Sequence, residues 1–161
     1  MNAQPVLARI AAALESSGLE AVLIGNAAAA LQGAPVTTLD FDFMFRKTKT
    51  NVEKMKRFAT ALNAGILRPY YPASSLYRVM NDDTGLQVDF MPMIHGIRSF
   101  ESLRSRATSL EVSGSKLLVA DLRDILKSKR AAGRPKDRAV LSVLETTLHE
   151  QEITSKEKRR R

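Results

Sequence analysis

Residues 37–45, TTLDFDFMF, place two carboxylates inside a run that otherwise reads as a core strand. Side chains alternate along a strand, so Leu39, Phe41 and Phe43 point one way while Asp40 and Asp42 point the other. The two acids then stand about 7 Å apart, with both heads projecting into the same space. Two readings fit this segment taken by itself: an edge strand with one solvated face, or a strand that presents a pair of acids to a site. The neighbouring residues have to separate them.

Upstream, residues 4–16 carry Val6, Leu7, Ile10 and Leu14 at helical spacing, and the SSG at 16–18 ends that helix. AVLIG (21–25) reads as a short buried strand, and the alanine-rich stretch from Asn26 to Leu31 as a helix stopping near Gly33 and Pro35. Residues 51–64 form a second amphipathic helix, with Val52, Met55, Phe58, Ala59 and Leu62 inward and Gly65 closing it. LYRVM (76–80) and LQVDFM (86–91) alternate around NDDTG, which predicts a hairpin. NDDTG lacks the downstream acid of a calcium loop and is a turn. Residues 107–120 read as another pair of short strands. Asp121 and Gly133 bound a helix, and Pro135 opens a last one running to about His149. The expected fold is α+β: a small mixed sheet flanked by helices, with helices at the C-terminus.

The chain of 161 residues suits one domain, expected over 1–150, followed by a charged, flexible tail at 151–161. The net charge of +8 points to an anionic partner, but KEKRRR at the end carries half of that excess. Glu20, Asn26 and Gln32 interrupt the most apolar region, so no stretch reaches the roughly 18 apolar residues of a membrane span. The N-terminus does not look like a signal peptide, and there is no cysteine for a disulfide or thiolate site. A cytoplasmic protein without membrane contact is the expectation.

Asp89 is the third carboxylate of interest. In LQVDFM it shares a face with Gln87 and Met91, while Leu86, Val88 and Phe90 take the core side. If the hairpin lies beside the 38–45 strand, Asp89 joins Asp40 and Asp42. Three such carboxylates repel one another unless a cation neutralises them, and a hard divalent ion with oxygen ligands suits the set. Just upstream, LIGNAAAALQG runs strand, Gly-Asn turn, helix N-terminus, which aims backbone N–H groups at an anion. Gly25 permits close approach of a phosphate, and Asn26 either caps the helix or donates to a phosphate oxygen. His95 and His149 are too few for a histidine metal site, and His95, in the loop after the third aspartate, reads as structural or incidental. SGSK (113–116) lacks the spacing of a Walker loop and is a turn.

Taken in order, the Gly-Asn turn, the Asp-x-Asp of TLDFDF and the strand aspartate of LQVDFM resemble the nucleotidyltransferase superfamily of DNA polymerase β-like folds. ILKSKRAAGRPKDRAVL is similar to the closing segment of the small bacterial AbiEii-like, toxin–antitoxin type nucleotidyltransferases. The resemblance covers about residues 20–148. It implies that Asp40, Asp42 and Asp89 bind catalytic Mg2+ (or Mn2+), and that Gly25 and Asn26 hold the nucleotide phosphates. It further implies that Lys129 contacts the triphosphate, that Asp137 closes the motif, and that Arg134 and Lys136 add phosphate contacts. The implied activity is transfer of an NMP from an NTP to an acceptor hydroxyl on tRNA or protein, in a toxin–antitoxin or phage-defence setting with a cognate toxin or antitoxin partner. Asn26 stands where the pattern has Ser or Gly, and Val36 where many members have Arg. These departures motivate the alternative, a catalytically silent binding module or antitoxin partner of the same fold.

Overall fold

The computed structural model describes residues 3–38, 40–69 and 74–161. Its core is a mixed seven-stranded sheet. In chain order the strands are β1 (Ala21–Ile24), β2 (Phe41–Phe45), β3 (Gly65–Leu67), β4 (Tyr77–Asn81), β5 (Leu86–Met91), β6 (Thr108–Val112) and β7 (Ser115–Val119). The spatial order is β3-β4-β5-β2-β1-β7-β6. The helices are α1 (Ala3–Ser17), α2 (Gly25–Leu31), α3 (Lys49–Ala61), α4 (Phe100–Arg106), α5 (Leu122–Ala132) and α6 (Pro135–Arg160). This is the α+β class expected.

The aspartate strand lies at the centre of the sheet. β2 pairs antiparallel with β1 and parallel with β5, so the edge-strand reading fails. Phe41, Phe43, Met44 and Phe45 are all buried, which leaves Asp42 as the polar interruption of a strand covered on both faces. Phe43 stacks on Phe90 with ring centroids 5.3 Å apart, and Phe58 of α3 meets Phe90 edge-on at 5.2 Å. Aromatic packing of this kind adds to area burial and fixes which face of β2 is core. Asp42 must therefore point to the other face. Asn51 ties α3 to the sheet: its Nδ2 donates to the carbonyls of Glu20 and Arg46, and its Oδ1 accepts from Glu20 N–H.

Several boundaries differ from expectation. β2 begins at Phe41, so Asp40 precedes the strand; Thr38 Oγ1 donates to Asp40 O and accepts from Asp40 N in a local turn. The placement expected for Leu39 lies outside the described residues. α3 starts earlier than expected, because Thr48 caps it by accepting from Asn51 N. Gly65 does not close α3; Asn63 takes the left-handed conformation there, and Gly65 opens β3. β3 and α4 had no sequence expectation. α6 continues past His149 to Arg160 as one helix, in a segment rich in good helix formers and ending on Lys158, Arg159 and Arg160 beside the negative helix end. Among the described residues, no helix is long and apolar enough to cross a membrane.

Candidate active site

A cavity of about 670 Å³ opens where the ends of β1 and β2 face α5 and the start of α6. Its lining joins Gly25, Asn26, Asp40 and Asp42 on the sheet side to Lys129, Arg134, Lys136 and Asp137 on the helix side. Eight of the nine residues singled out in the sequence therefore share one cavity. Asp89 is the exception.

The sheet wall is built by register. Ile24 of β1 is paired with Asp42, and Asp42 with Asp89 of β5, so the two acids share one face of the sheet. Gly25 has a φ of +68°, the left-handed region that favours glycine, and a Cβ placed there would lie 3.5 Å from Asp42 Oδ2. The turn thus brings backbone beside the carboxylate. Burial pushes the Asp42 carboxyl up to about 6; Asp89 and Asp40 push it further the same way, and Lys136 and Lys129 oppose them. Asn26 does not cap α2. Ile24 occupies that position, no side chain caps the helix, and Asn26 Oδ1 is buried with no hydrogen-bond partner.

The helix wall is built by one face of α5 and the capped start of α6. Asp124, Ile125, Ser128, Lys129 and Ala132 line the cavity at the spacing of a single helical stripe. Gly133 ends α5 in the left-handed conformation, and Pro135 starts α6. Asp137, fully buried, closes the capping box: Arg134 Nε and Nη2 donate to Oδ2 and Oδ1 at 2.6 and 3.2 Å, and Arg134 N donates to Oδ2 at 3.2 Å. Lys129 Nζ lies 3.8 Å from Asp137 Oδ1. Burial opposes the Asp137 charge, but the Arg134 hydrogen bonds and the nearby cations outweigh it and hold the carboxyl below its usual range. Burial lowers the Lys129 ammonium from its ordinary value, with Asp137 and Asp42 resisting and Arg134 and Lys136 reinforcing.

The three-aspartate cluster does not form as expected. Among the described residues, no group of three or more acids or histidines is gathered to hold a metal ion. Asp89 stays beside Asp42, but Arg78 of β4 takes both its oxygens, with Nε–Oδ1 2.8 Å and Nη2–Oδ2 3.1 Å. What remains for a cation is Asp40 and Asp42, with the unpartnered Asn26 Oδ1 among the same lining residues. All three offer oxygen, and a buried carboxyl raised by like charges is relieved by an added cation. The donor set fits one hard divalent ion.

Sequence reasoning missed the rest of the lining. His95, set aside as structural or incidental, borders the cavity together with Met93 and Ile94 from the loop after β5. Gly96 presses that loop onto α5: with φ +77°, a Cβ there would come within 2.9 Å of Ala131 Cβ and 3.0 Å of the Lys127 carbonyl. Asp124, buried and accepting from Arg106 Nε at 2.8 Å, also faces the cavity. The Arg78 partner was readable in principle: counting three residues along each strand from the Asn81–Leu86 pair that closes the hairpin sets it opposite Asp89.

The family described as "Nucleotidyl transferase of unknown function (DUF2204)" matches residues 3–161. Among solved structures, a Thermotoga maritima protein assigned as a nucleotidyltransferase superposes with a TM-score of 0.61 at 20% identity, over 91% of this chain and 92% of that one. The antibiotic-resistance factor ANT(2'')-Ia gives 0.63 at 14% identity, over 96% and 90%. An antigenic nucleotidyltransferase-like protein of Paracoccidioides brasiliensis gives 0.57 at 17%, over 89% and 74%. At these identities the structural matches establish the fold alone. No curated protein matches the chain.

Proposed function

The chain belongs to the nucleotidyl transferase family DUF2204, and from that premise we propose that it moves an NMP group from a magnesium-bound NTP to an acceptor hydroxyl. The observation that carries this reading is the polarity of the cavity, with Asp40 and a raised Asp42 on one wall and Lys129 and Lys136 on the other. A triphosphate chelating a divalent ion has the matching polarity: ion toward the acids, phosphate oxygens toward the cations.

Magnesium held by Asp40 and Asp42 would neutralise charge on the triphosphate. The chain's own groups supply the rest. Lys129, only 13% exposed, reaches the phosphates as a shielded cation, and Asp137 with Arg134 holds its helix turn in place. Arg134 and Lys136 stand at the cavity rim for further phosphate oxygens. Gly25 leaves room at Asp42 for a phosphate to approach. Met91, Ile94, Leu103 and Ile125 give the cavity an apolar side suited to a base and to exclusion of water. The acceptor oxygen bonds to the α-phosphorus and loses its proton, the α–β phosphoanhydride bond breaks, and pyrophosphate leaves.

tRNA or a protein side chain is the acceptor class, and the AbiEii-like resemblance of residues 125–141 supports a toxin–antitoxin or phage-defence setting with a cognate partner. The test is incubation of the purified protein with each labelled NTP, magnesium and either total tRNA or lysate protein. Label on one acceptor class, absent with Asp42→Asn, is the expected result. No label on any acceptor, with no NTP binding by calorimetry, would refute the enzyme reading.

A further inference from the structure

Asp89 has a partner that the aspartate pattern does not include. Arg78 and Asp89 are register neighbours on β4 and β5, joined by two parallel N–H to oxygen bonds, and Gln87 Nε2 donates to Asp89 Oδ2 at 3.4 Å. The two side chains are only 28% and 11% exposed, so water screens the pair weakly. On its other side Asp89 is the register neighbour of Asp42. Arg78, Asp89 and Asp42 thus form a row across three adjacent strands on one face. Asp42, by contrast, feels its own cations, Lys136 and Lys129, through space.

Of the three acids, Asp89 already holds a cation at hydrogen-bond distance, the Arg78 guanidinium, whereas Asp40 and Asp42 share the cavity lining with the unpartnered Asn26 Oδ1. A second ion on Asp89 would have to displace a guanidinium whose planar fork matches the carboxylate.

We propose that Arg78 stands in place of a second cation. The centre then takes one divalent ion on Asp40 and Asp42, and Asp89 is paired with Arg78 rather than serving as an ion ligand. This rests on the nucleotidyltransferase reading above and narrows it to a single-ion centre.

The test counts ions without measuring turnover. Manganese is titrated into the full chain with a non-hydrolysable NTP; native mass spectrometry counts ions per complex, and electron paramagnetic resonance reports coupling between neighbouring manganese ions. One uncoupled ion per complex is expected. Asp89→Asn should keep that count with affinity within about twofold, whereas Asp42→Asn, which removes a ligand, should weaken it by about tenfold or more. Arg78→Gln, checked for folding by its melting curve, exposes Asp89 and should admit a second, coupled ion. If it folds and still takes one, the part given to Arg78 is overturned. Should Arg78→Gln fail to fold, Asp89→Asn decides. Two coupled ions in the unaltered protein, or a tenfold loss of affinity in Asp89→Asn, would overturn the inference and leave the transfer reading standing. Absence of any bound ion would overturn both.

Discussion

Asp42 on the sheet wall and Asp137 on the helix wall face the same cavity, yet one carboxyl is pushed up to about 6 and the other is held below its usual range. Burial acts against the charge of both. The difference lies in partners: Asp137 accepts three hydrogen bonds from Arg134 and has Lys129 3.8 Å away, whereas Asp42 has the acids Asp89 and Asp40 beside it and feels Lys136 and Lys129 only through space. One wall is electrostatically complete as folded, and its acid serves to hold cations in position. The other is incomplete, and its acid is left in a state that an added cation would relieve. A scaffold and a binding centre can thus be told apart by which carboxylates the fold has already satisfied.

The largest expected effect attacks the incomplete wall. Asp42→Asn keeps the shape and removes the charge, and should lower transfer by about 10³-fold, or about 4 kcal/mol of transition-state stabilisation, in a single-turnover assay. A loss of only a few-fold would erase the distinction between the walls.

The complete wall should fail differently. Asp137→Ala leaves Lys129 without its buried counter-charge, and a loss of about 3 kcal/mol in folding stability is expected from chemical denaturation. Stability unchanged by that substitution would mean the capping box and its ion pairs contribute little. Lys129→Met keeps the bulk of the side chain and removes its charge. Calorimetry should show NTP affinity weakened by about tenfold to a hundredfold, with the melting temperature nearly unchanged.

The smallest effect concerns the metal-free fold. Asp42 has a folded value of about 6 against an ordinary 3.8, so between those values the native state binds more protons than the unfolded chain. The native state is therefore penalised above about pH 6 and recovers stability as pH falls from there toward the ordinary value. In denaturation without divalent ions, Asp42→Asn should be more stable than the unaltered protein at neutral pH by about 1–3 kcal/mol. The gap should close as pH is lowered across that window. A gap independent of pH would show that Asp42 is not the strained acid.

Much of the sheet wall could be read from the chain because strand parity is strict. Phe41, Phe43 and Phe90 had to share the core, so Asp42 and Asp89 had to share the opposite face, as they do. The partner of Asp89 was harder to see. It depends on hairpin register, and Arg78 in LYRVM looks like any surface arginine until β4 is laid against β5. The helix wall was legible by resemblance alone, since Lys129 and Asp137 lie on separate helices and periodicity does not bring them together. Of the two roles open to Asn26, the cap is excluded because α2 begins at Gly25 and its cap position falls on Ile24, two residues before Asn26. α4 and the 92–99 loop carried too little periodicity to assign, and they bring Leu103, Met93, Ile94 and His95 to the cavity. β3 is three exposed residues whose place depends on pairing with β4.

The central claim is that the incomplete wall is a divalent-cation site which completes itself with a nucleotide. The most direct measurement is NTP affinity with and without magnesium, in the unaltered protein and in Asp42→Asn. Magnesium should tighten binding to the unaltered protein by about tenfold or more and leave Asp42→Asn nearly unaffected. Equal affinities in both proteins, with or without the ion, would contradict the account.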